Sequence, residues 1–182
     1  MHSTRLSYRL FDFTSPHLVP EDVDTLWQID QDPEVMRYLT KGEITSRETL
    51  MDTFIPRIQS YTDLEKGYGM WRVGLKENDL CIGEIIIRPM YFFSAQADYT
   101  NIELGWRFIR QSWGKGYATE AAQFLMQHIA ERNNVSTFTA IADTNNKASL
   151  AVMQKLGMTF LKNDIHQDPL GDCEVDFYQV TL

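Results

Sequence analysis

The stretch "RQSWGKGYATEA", Arg110 to Ala121, places two glycines around a lysine and runs directly into residues that favour helix. A strand ends just before it and a helix begins inside it. At such a junction up to about four backbone N–H groups lack partners, and the helix dipole puts roughly half a positive charge there. Glycine lets a ligand come close to the main chain. Gly114 and Gly116 therefore point to a phosphate or pyrophosphate held by backbone amides and not by a field of basic side chains. A tight turn without any ligand uses glycines in the same way, so the company the loop keeps has to decide.

Two phosphate loops are excluded by spacing. A P-loop needs Ser or Thr after its Gly-Lys pair and an earlier glycine, whereas Lys115 is followed by Gly116 and the earlier position holds Ile109. The dinucleotide fingerprint needs a third glycine where Thr119 stands, and it normally follows the first strand of a parallel sheet.

The elements that must position the loop alternate along the chain. "RLSYRLFDF" alternates as a first strand, and "PEDVDTLWQID" opens with Pro20 and acids in its first turn, as helix N-termini favour. After a break at Asp32-Pro33, "TSRETLMDTFIPRIQSY" places Thr45 and Glu48 at capping-box spacing, which predicts a second helix with a bend at Pro56. "YGMWRVGLK" and "CIGEIIIRP", separated by "ENDL", read as an antiparallel hairpin, and "NIELGWRFI" as another strand. In "YATEAAQFLMQHIAERNN", Ala118, Ala121, Ala122, Leu125 and Ile129 share one helical face, with Asn133 and Asn134 at the end. "STFTAIAD" is a strand and "NNKASLAVMQKLG" a short helix ending before Gly157; "MTFLKNDI" and "CEVDFYQVTL" close as a hairpin. This order predicts an α/β (α+β) domain with a mixed, mostly antiparallel sheet, occupying residues 1–182 as one unit.

Composition narrows the function. With 43% hydrophobic and 23% charged residues in 182, the chain carries enough apolar material for one packed core. A net charge of −8 opposes a phosphate backbone, which argues against nucleic acid as a partner; it suits a cationic acceptor, although surplus carboxylates more often serve only solubility. "MHSTRLSYRLFDF" lacks the features of a secretory signal, and the most apolar stretch, "IIIRPMYFF", is short and carries Arg88 and Pro89. We therefore expect a cytoplasmic protein with no membrane partner. Cys81 and Cys173 stand far apart in alternating segments, which predicts buried, reduced thiols. The four histidines are scattered singly, so no metal site is expected.

The loop also fits Q-x-x-G-x-G as Gln111, Gly114 and Gly116, and here the sequence resembles the GCN5-related N-acetyltransferase (GNAT) family. "WGKGYATEA" and "NKASLAVMQKLGM" are similar to the subgroup of RimJ and RimL type ribosomal-protein N-terminal acetyltransferases, with Met158 where that pattern has Phe. "STRLSYRLF", "DPEV" and "IELGW" extend the resemblance over nearly the whole chain. It implies a central sheet flanked by helices, with two central strands splayed apart, and acetyl-CoA as cosubstrate.

By this resemblance the pyrophosphate lies along Gln111, Trp113, Gly114, Lys115, Gly116, Tyr117, Ala118 and Thr119, held mostly by main-chain N–H. Lys115 itself reads best as a solvated charge. Phe108, Ile109 and Arg110 would pair with the amides of the pantetheine arm by strand addition. Asn146 and Ser149 match the family's residues facing the sulfur end; read locally, Asn146 is a helix cap and Ser149 a small packing residue.

Acetyl transfer to an amine needs a base, a polarised thioester carbonyl and a proton for the leaving thiolate. The resemblance implies that a bulge in the "IELGW" strand frees a backbone donor for the carbonyl. Glu103, in that strand and at an acidic position common in the subgroup, is the expected base, with Glu84 second; a solvated strand carboxylate is the plain alternative for Glu103. Several branches carry a Tyr acid where this chain has Met153, which donates no proton. Ser149 takes that place, with Tyr178 the weaker choice. Tyr68, Trp71, Tyr91, Phe92, Phe93 and Trp106 are available for an acceptor pocket, most of them as core. The expected activity is acetylation of a primary amine, foremost a ribosomal-protein N-terminus, by a monomer or homodimer. A small amine such as a polyamine, amino acid or antibiotic is the alternative acceptor, and a non-catalytic acyl-CoA sensor the alternative from another class.

Overall fold

The computed structural model describes residues 1–13 and 19–182. Their strands are β1 (Leu6–Leu10), β2 (Gly69–Leu75), β3 (Cys81–Met90), β4 (Asp98–Phe108), β5 (Thr137–Ala142), β6 (Thr159–His166) and β7 (Cys173–Thr181). Among the described residues they form one sheet in the order β1-β2-β3-β4-β5-β7-β6. Every neighbouring pair is antiparallel except β4 and β5. A parallel pair needs a long crossover, and helix α5 (Tyr117–Asn133) supplies it.

Helices cover both faces. α5 and α6 (Lys147–Lys155) lie on one, where Ala121, Ala122, Leu125 and Ile129 pack with Ile85, Ile87, Leu104 and Phe108 of the sheet. On the other, α1 (Pro20–Ile29) and α4 (Ile55–Tyr61) bury Val23, Leu26, Ile55 and Ile58 with Phe11, Phe13 and Met70. The apolar run in β3 follows from burial on both sides. Between α1 and α4 stand α2 (Pro33–Met36), a single turn α3 (Arg47–Thr49) and a π-helical segment, Leu50–Phe54.

Three local expectations are corrected. The cap of α3 is Ser46, whose side chain accepts from Thr49 N–H at 3.0 Å; Thr45 is buried and its carbonyl takes Gln31 Nε2. In place of a simple bend, Ile55 N–H donates to the Leu50 carbonyl. This π-type bond stands immediately before Pro56, which has no N–H to continue the ladder. Both cysteines are free, but Cys173, at the start of β7, is exposed and Cys81 only half-buried.

Among the described residues no helix is long and apolar enough to cross a membrane, and no group of three His, Cys, Asp or Glu is placed to hold a metal. His17 lies outside the described residues.

Candidate active site

The parallel pairing of β4 with β5 runs only through Asn101↔Thr137, Ile102↔Phe138 and Glu103↔Thr139. β4 continues to Phe108, so the two strands part beyond Glu103. Ile109 N–H donates to the Ile82 carbonyl at 3.0 Å, on the β3 side. Strand alternation then turns the main-chain groups of Phe108 and Trp106 toward β5, into the gap. The Phe108 carbonyl accepts from Trp113 Nε1 at 2.8 Å, so the Phe108 N–H and both groups of Trp106 face the cleft without a strand partner among the described residues. An extended ligand with amides of its own can add there as a strand.

This geometry changes two expectations. The β3–β4 register is unbroken from Gly83↔Phe108 to Pro89↔Ile102, and its shift lies between Pro89 and Met90. Free donors in "IELGW" thus arise from the splay and not from a bulge. Nor are the groups of Ile109, or the Arg110 carbonyl, open to the arm. Ile109 is bonded to β3 and, through its carbonyl, to Ser112 N–H, while the Arg110 carbonyl accepts from Trp113 N–H at 3.1 Å. Phe108 and Trp106 are left for strand addition, together with the Arg110 N–H, which has no hydrogen bond among the described residues.

Beyond the cleft a short 3-10 turn, Arg110–Ser112, leads into the glycine loop. Gly114 and Gly116 have φ of 73° and 77°, the left-handed region that side chains disfavour. A Cβ built on Gly114 would meet nothing within 4 Å, and one on Gly116 only Arg5 Nη2 at 3.6 Å. The glycines therefore serve backbone conformation and leave open space above the loop. No side chain caps α5, so the N–H groups of Tyr117, Ala118 and Thr119 face outward as an anion-binding end. These features fit a pyrophosphate. Gln111, Trp113 and Lys115 are exposed beside the loop.

Sequence reasoning missed Arg5. Its Nε meets Glu120 Oε2 at 2.7 Å, its Nη1 donates to the Lys115 carbonyl at 2.9 Å, and its guanidinium stacks 4.6 Å from the Tyr117 ring. Ser3 Oγ also donates to Glu120, at 2.7 Å. The chain start thus braces the loop, across a separation of 115 residues that no local pattern reveals.

On α6, Asn146 is the helix cap: its Oδ1 accepts from Ser149 N–H at 3.1 Å. Ser149 is half-buried, and its hydroxyl has no hydrogen bond among the described residues. Met153 is fully buried in the core. Tyr178, opposite Ala140, lies edge-on to Phe160 at 5.7 Å.

The two candidate carboxylates project from the sheet face opposite α5, each in a cross-strand ion pair. Glu103 sits opposite Arg88 and accepts from its Nε and Nη2 at 2.9 and 2.8 Å. Glu84 sits opposite Arg107 and accepts from its Nη2, while Arg107 Nη1 stands 2.7 Å from Asp30 Oδ1 without hydrogen-bond alignment. Among the described residues Glu84 Oε2 and Arg107 Nε are buried without partners. Burial, with Asp30 adding to it and Arg107 opposing it, pushes the Glu84 carboxyl up to about 7.

A stability prediction follows. Because the folded-state value of Glu84 lies above its ordinary 4.5, the folded protein binds this proton more tightly than the unfolded chain does. That contribution is complete below about pH 4.5 and is lost as the pH rises to about 7, on the order of 3 kcal/mol. Wild type should therefore lose unfolding free energy relative to Glu84→Gln across this window. Denaturant titrations at several pH values check it, and a constant difference between the two proteins contradicts it.

Of the candidate pocket aromatics, Tyr68, Trp71 and Trp106 belong to the α5-side core, with Trp71 Nε1 tied to the Gly67 carbonyl at 2.9 Å. They lie across the sheet from Glu103. Phe92 and Phe93 do lie on its side, edge-on to Tyr61 at 6.0 and 6.1 Å, and Tyr91 lies tilted against Phe177 at 6.4 Å.

Residues 16–159 match the acetyltransferase (GNAT) domain family. Among curated proteins the chain is 34% identical over 100 residues to an uncharacterized protein, YkkB, of Bacillus subtilis, spanning 54% of this chain and 56% of that one. It is 28% identical to the uncharacterized N-acetyltransferase YnaD of the same organism, over 87% of this chain and 82% of the relative. A GNAT-family acetyltransferase from Bacillus anthracis superposes with a TM-score of 0.72 at 23% identity, covering 100% of this chain and 96% of that one. The ribosomal L7/L12 alpha-N-protein acetyltransferase RimL, in complex with coenzyme A, gives 0.69 at 18%, over 99% and 96%. Spermidine N-acetyltransferase from Vibrio cholerae, with CoA and spermine, gives 0.71 at 12%, over 98% and 96%. With a splayed parallel strand pair, an uncapped glycine loop beside it and a family match across most of its length, this chain belongs to the GNAT acetyltransferases, acyltransferases that use acetyl-CoA.

Proposed function

We propose that the protein transfers the acetyl group of acetyl-CoA directly to the α-amine of a protein N-terminus of the ribosomal kind. The observation that carries direct transfer is the parting of β4 from β5 just past Glu103↔Thr139, with a carboxylate at the apex. The Gln111–Thr119 loop would hold the pyrophosphate of acetyl-CoA beside this gap. Phe108 and Trp106 would pair with the amides of its arm, and the Trp106 N–H would stabilise negative charge on the thioester carbonyl. Bound acetyl-CoA supplies the activated acyl group; the chain's own groups orient it and move protons.

Glu103 is the proposed base, because proton transfer first requires reach and Glu103 stands where the cleft begins. Arg88 occupies one site on each of its oxygens, and a carboxylate keeps further lone pairs free. Glu84 is set back beside Arg107, four residues along β4 toward the loop, and comes second. Ser149, with an unpaired hydroxyl near the cap of α6, is the proposed proton source for the thiolate, ahead of Tyr178.

The acceptor reading rests on the resemblance of "WGKGYATEA" and "NKASLAVMQKLGM" to the RimJ and RimL type, together with the acidic balance of the chain. Peptides copied from ribosomal-protein N-termini should be acetylated with at least about tenfold better kcat/KM than spermidine, lysine or aminoglycosides, a difference of about 1.4 kcal/mol in transition-state binding. Thiol release with each amine measures this. A preference for a polyamine over every peptide would overturn the acceptor and leave the reaction type standing; no release with any amine would favour a sensor.

A further inference from the structure

Gly105 is a glycine that neither its backbone nor its neighbours require. Its φ is not in the left-handed region, and a Cβ built on it would meet only Ile86, at 3.6 and 3.8 Å, an ordinary contact. Among the described residues no side chain of α1 to α4 comes within 4 Å of that point. Gly105 is half-buried, although Glu84 and Glu103 on the same face are almost wholly buried.

The position explains what the missing side chain serves. Register sets Glu84 opposite Arg107, Ile86 opposite Gly105 and Arg88 opposite Glu103, so Gly105 lies midway between the two ion pairs, about 7 Å along β4 from each. It also stands two residues past the last β4–β5 pairing, beside the cleft. The surrounding groups, Glu84, Glu103 and Asp30 against Arg88 and Arg107, leave an excess of carboxylate once Glu84 ionises, which favours a cationic visitor.

Building on the acetyltransferase reading, we infer that Gly105 floors the passage by which a primary ammonium group reaches the thioester, and that its missing side chain sets how much bulk the amine-bearing carbon can carry. A methyl group there costs the fold nothing, because it makes only an ordinary contact with Ile86 in a strand where glycine is itself unfavourable. It narrows the passage for the acceptor.

The test compares wild type with Gly105→Ala, using peptides that begin with Gly, Ala or Val. Tm should stay level or rise, and the Kd for acetyl-CoA, measured by calorimetry, should stay within about twofold. The kcat/KM should fall about tenfold for the glycyl peptide and further for the valyl one, since each tenfold step corresponds to about 1.4 kcal/mol of steric cost. Wild-type kcat/KM for all three in the variant overturns the passage and leaves the acetyltransferase reading intact. A weakened acetyl-CoA Kd with an equal loss for all three overturns it too, by assigning Gly105 to the cofactor. No turnover of any peptide by wild type removes the acceptor reading and the passage with it.

Discussion

Acetyl-CoA at about a hundred times its Kd is expected to stabilise the wild-type fold by about 2.7 kcal/mol, and Gly116→Glu to abolish that gain. For a chain of this size the shift corresponds to roughly 5–10 °C in Tm. Two effects combine in the variant. Gly116 sits at φ 77°, where a side chain costs on the order of 1–2 kcal/mol, so the free protein should also melt earlier. The added carboxylate then projects where only Arg5 Nη2 now stands nearby, into the space a pyrophosphate would occupy. Gly116→Asn separates the two, because Asn tolerates the left-handed region and brings no charge. It should retain part of the acetyl-CoA shift while Gly116→Glu retains none. Wild-type affinity in Gly116→Glu would show that the cofactor lies elsewhere.

The second large effect is expected at Glu103. Glu103→Gln should lower kcat at neutral pH by about 10²-fold, the lower end of what general catalysis contributes, with acetyl-CoA affinity nearly constant. An α-amine has a pKa near 8, so the loss should shrink as the pH passes that value and more acceptor arrives deprotonated. A carboxylate that only anchors the amine would raise KM and leave kcat largely intact. A purely structural one would leave turnover near normal from pH 6.5 to about 9.5, a range that brackets the amine.

The ion pair complicates the substitution. Removing Glu103 leaves Arg88 almost buried without its carboxylate, a change that costs roughly 3–5 kcal/mol in comparable pairs. Glu103→Gln combined with Arg88→Gln relieves that charge. If Glu103 is the base, the double variant recovers Tm but not kcat. Recovery of kcat along with Tm would reduce Glu103 to a partner of Arg88, and Glu84→Gln would then be measured over the same pH range.

The sequence by itself determined what local chemistry and periodicity control. Helical spacing placed Ala121, Ala122, Leu125 and Ile129 on the buried face of α5, and Asn134 ends that helix with φ of 52°. Asn146 caps α6, as its type and place imply. The glycine loop was legible because a left-handed backbone and an uncapped helix end are properties of a few consecutive residues. Where two capping candidates stood side by side, at Thr45 and Ser46, propensity could not choose, and burial of Thr45 against Gln31 did.

The tertiary structure decided everything that joins distant residues. Arg5 braces Glu120 from 115 positions away, and Arg57 reaches Asp168 across 111. Glu103 and Glu84 look alike in sequence, as single carboxylates in apolar strands. Antiparallel register gives each its own arginine, and burial, with Asp30 nearby, raises the proton affinity of Glu84. The cleft likewise has no local signature, since "IELGWRF" reads as one uninterrupted strand. Its opening depends on where β5 stops pairing with β4, and strand pairing between segments a crossover helix apart is fixed by packing on both faces of the sheet, not by the residues of either strand alone.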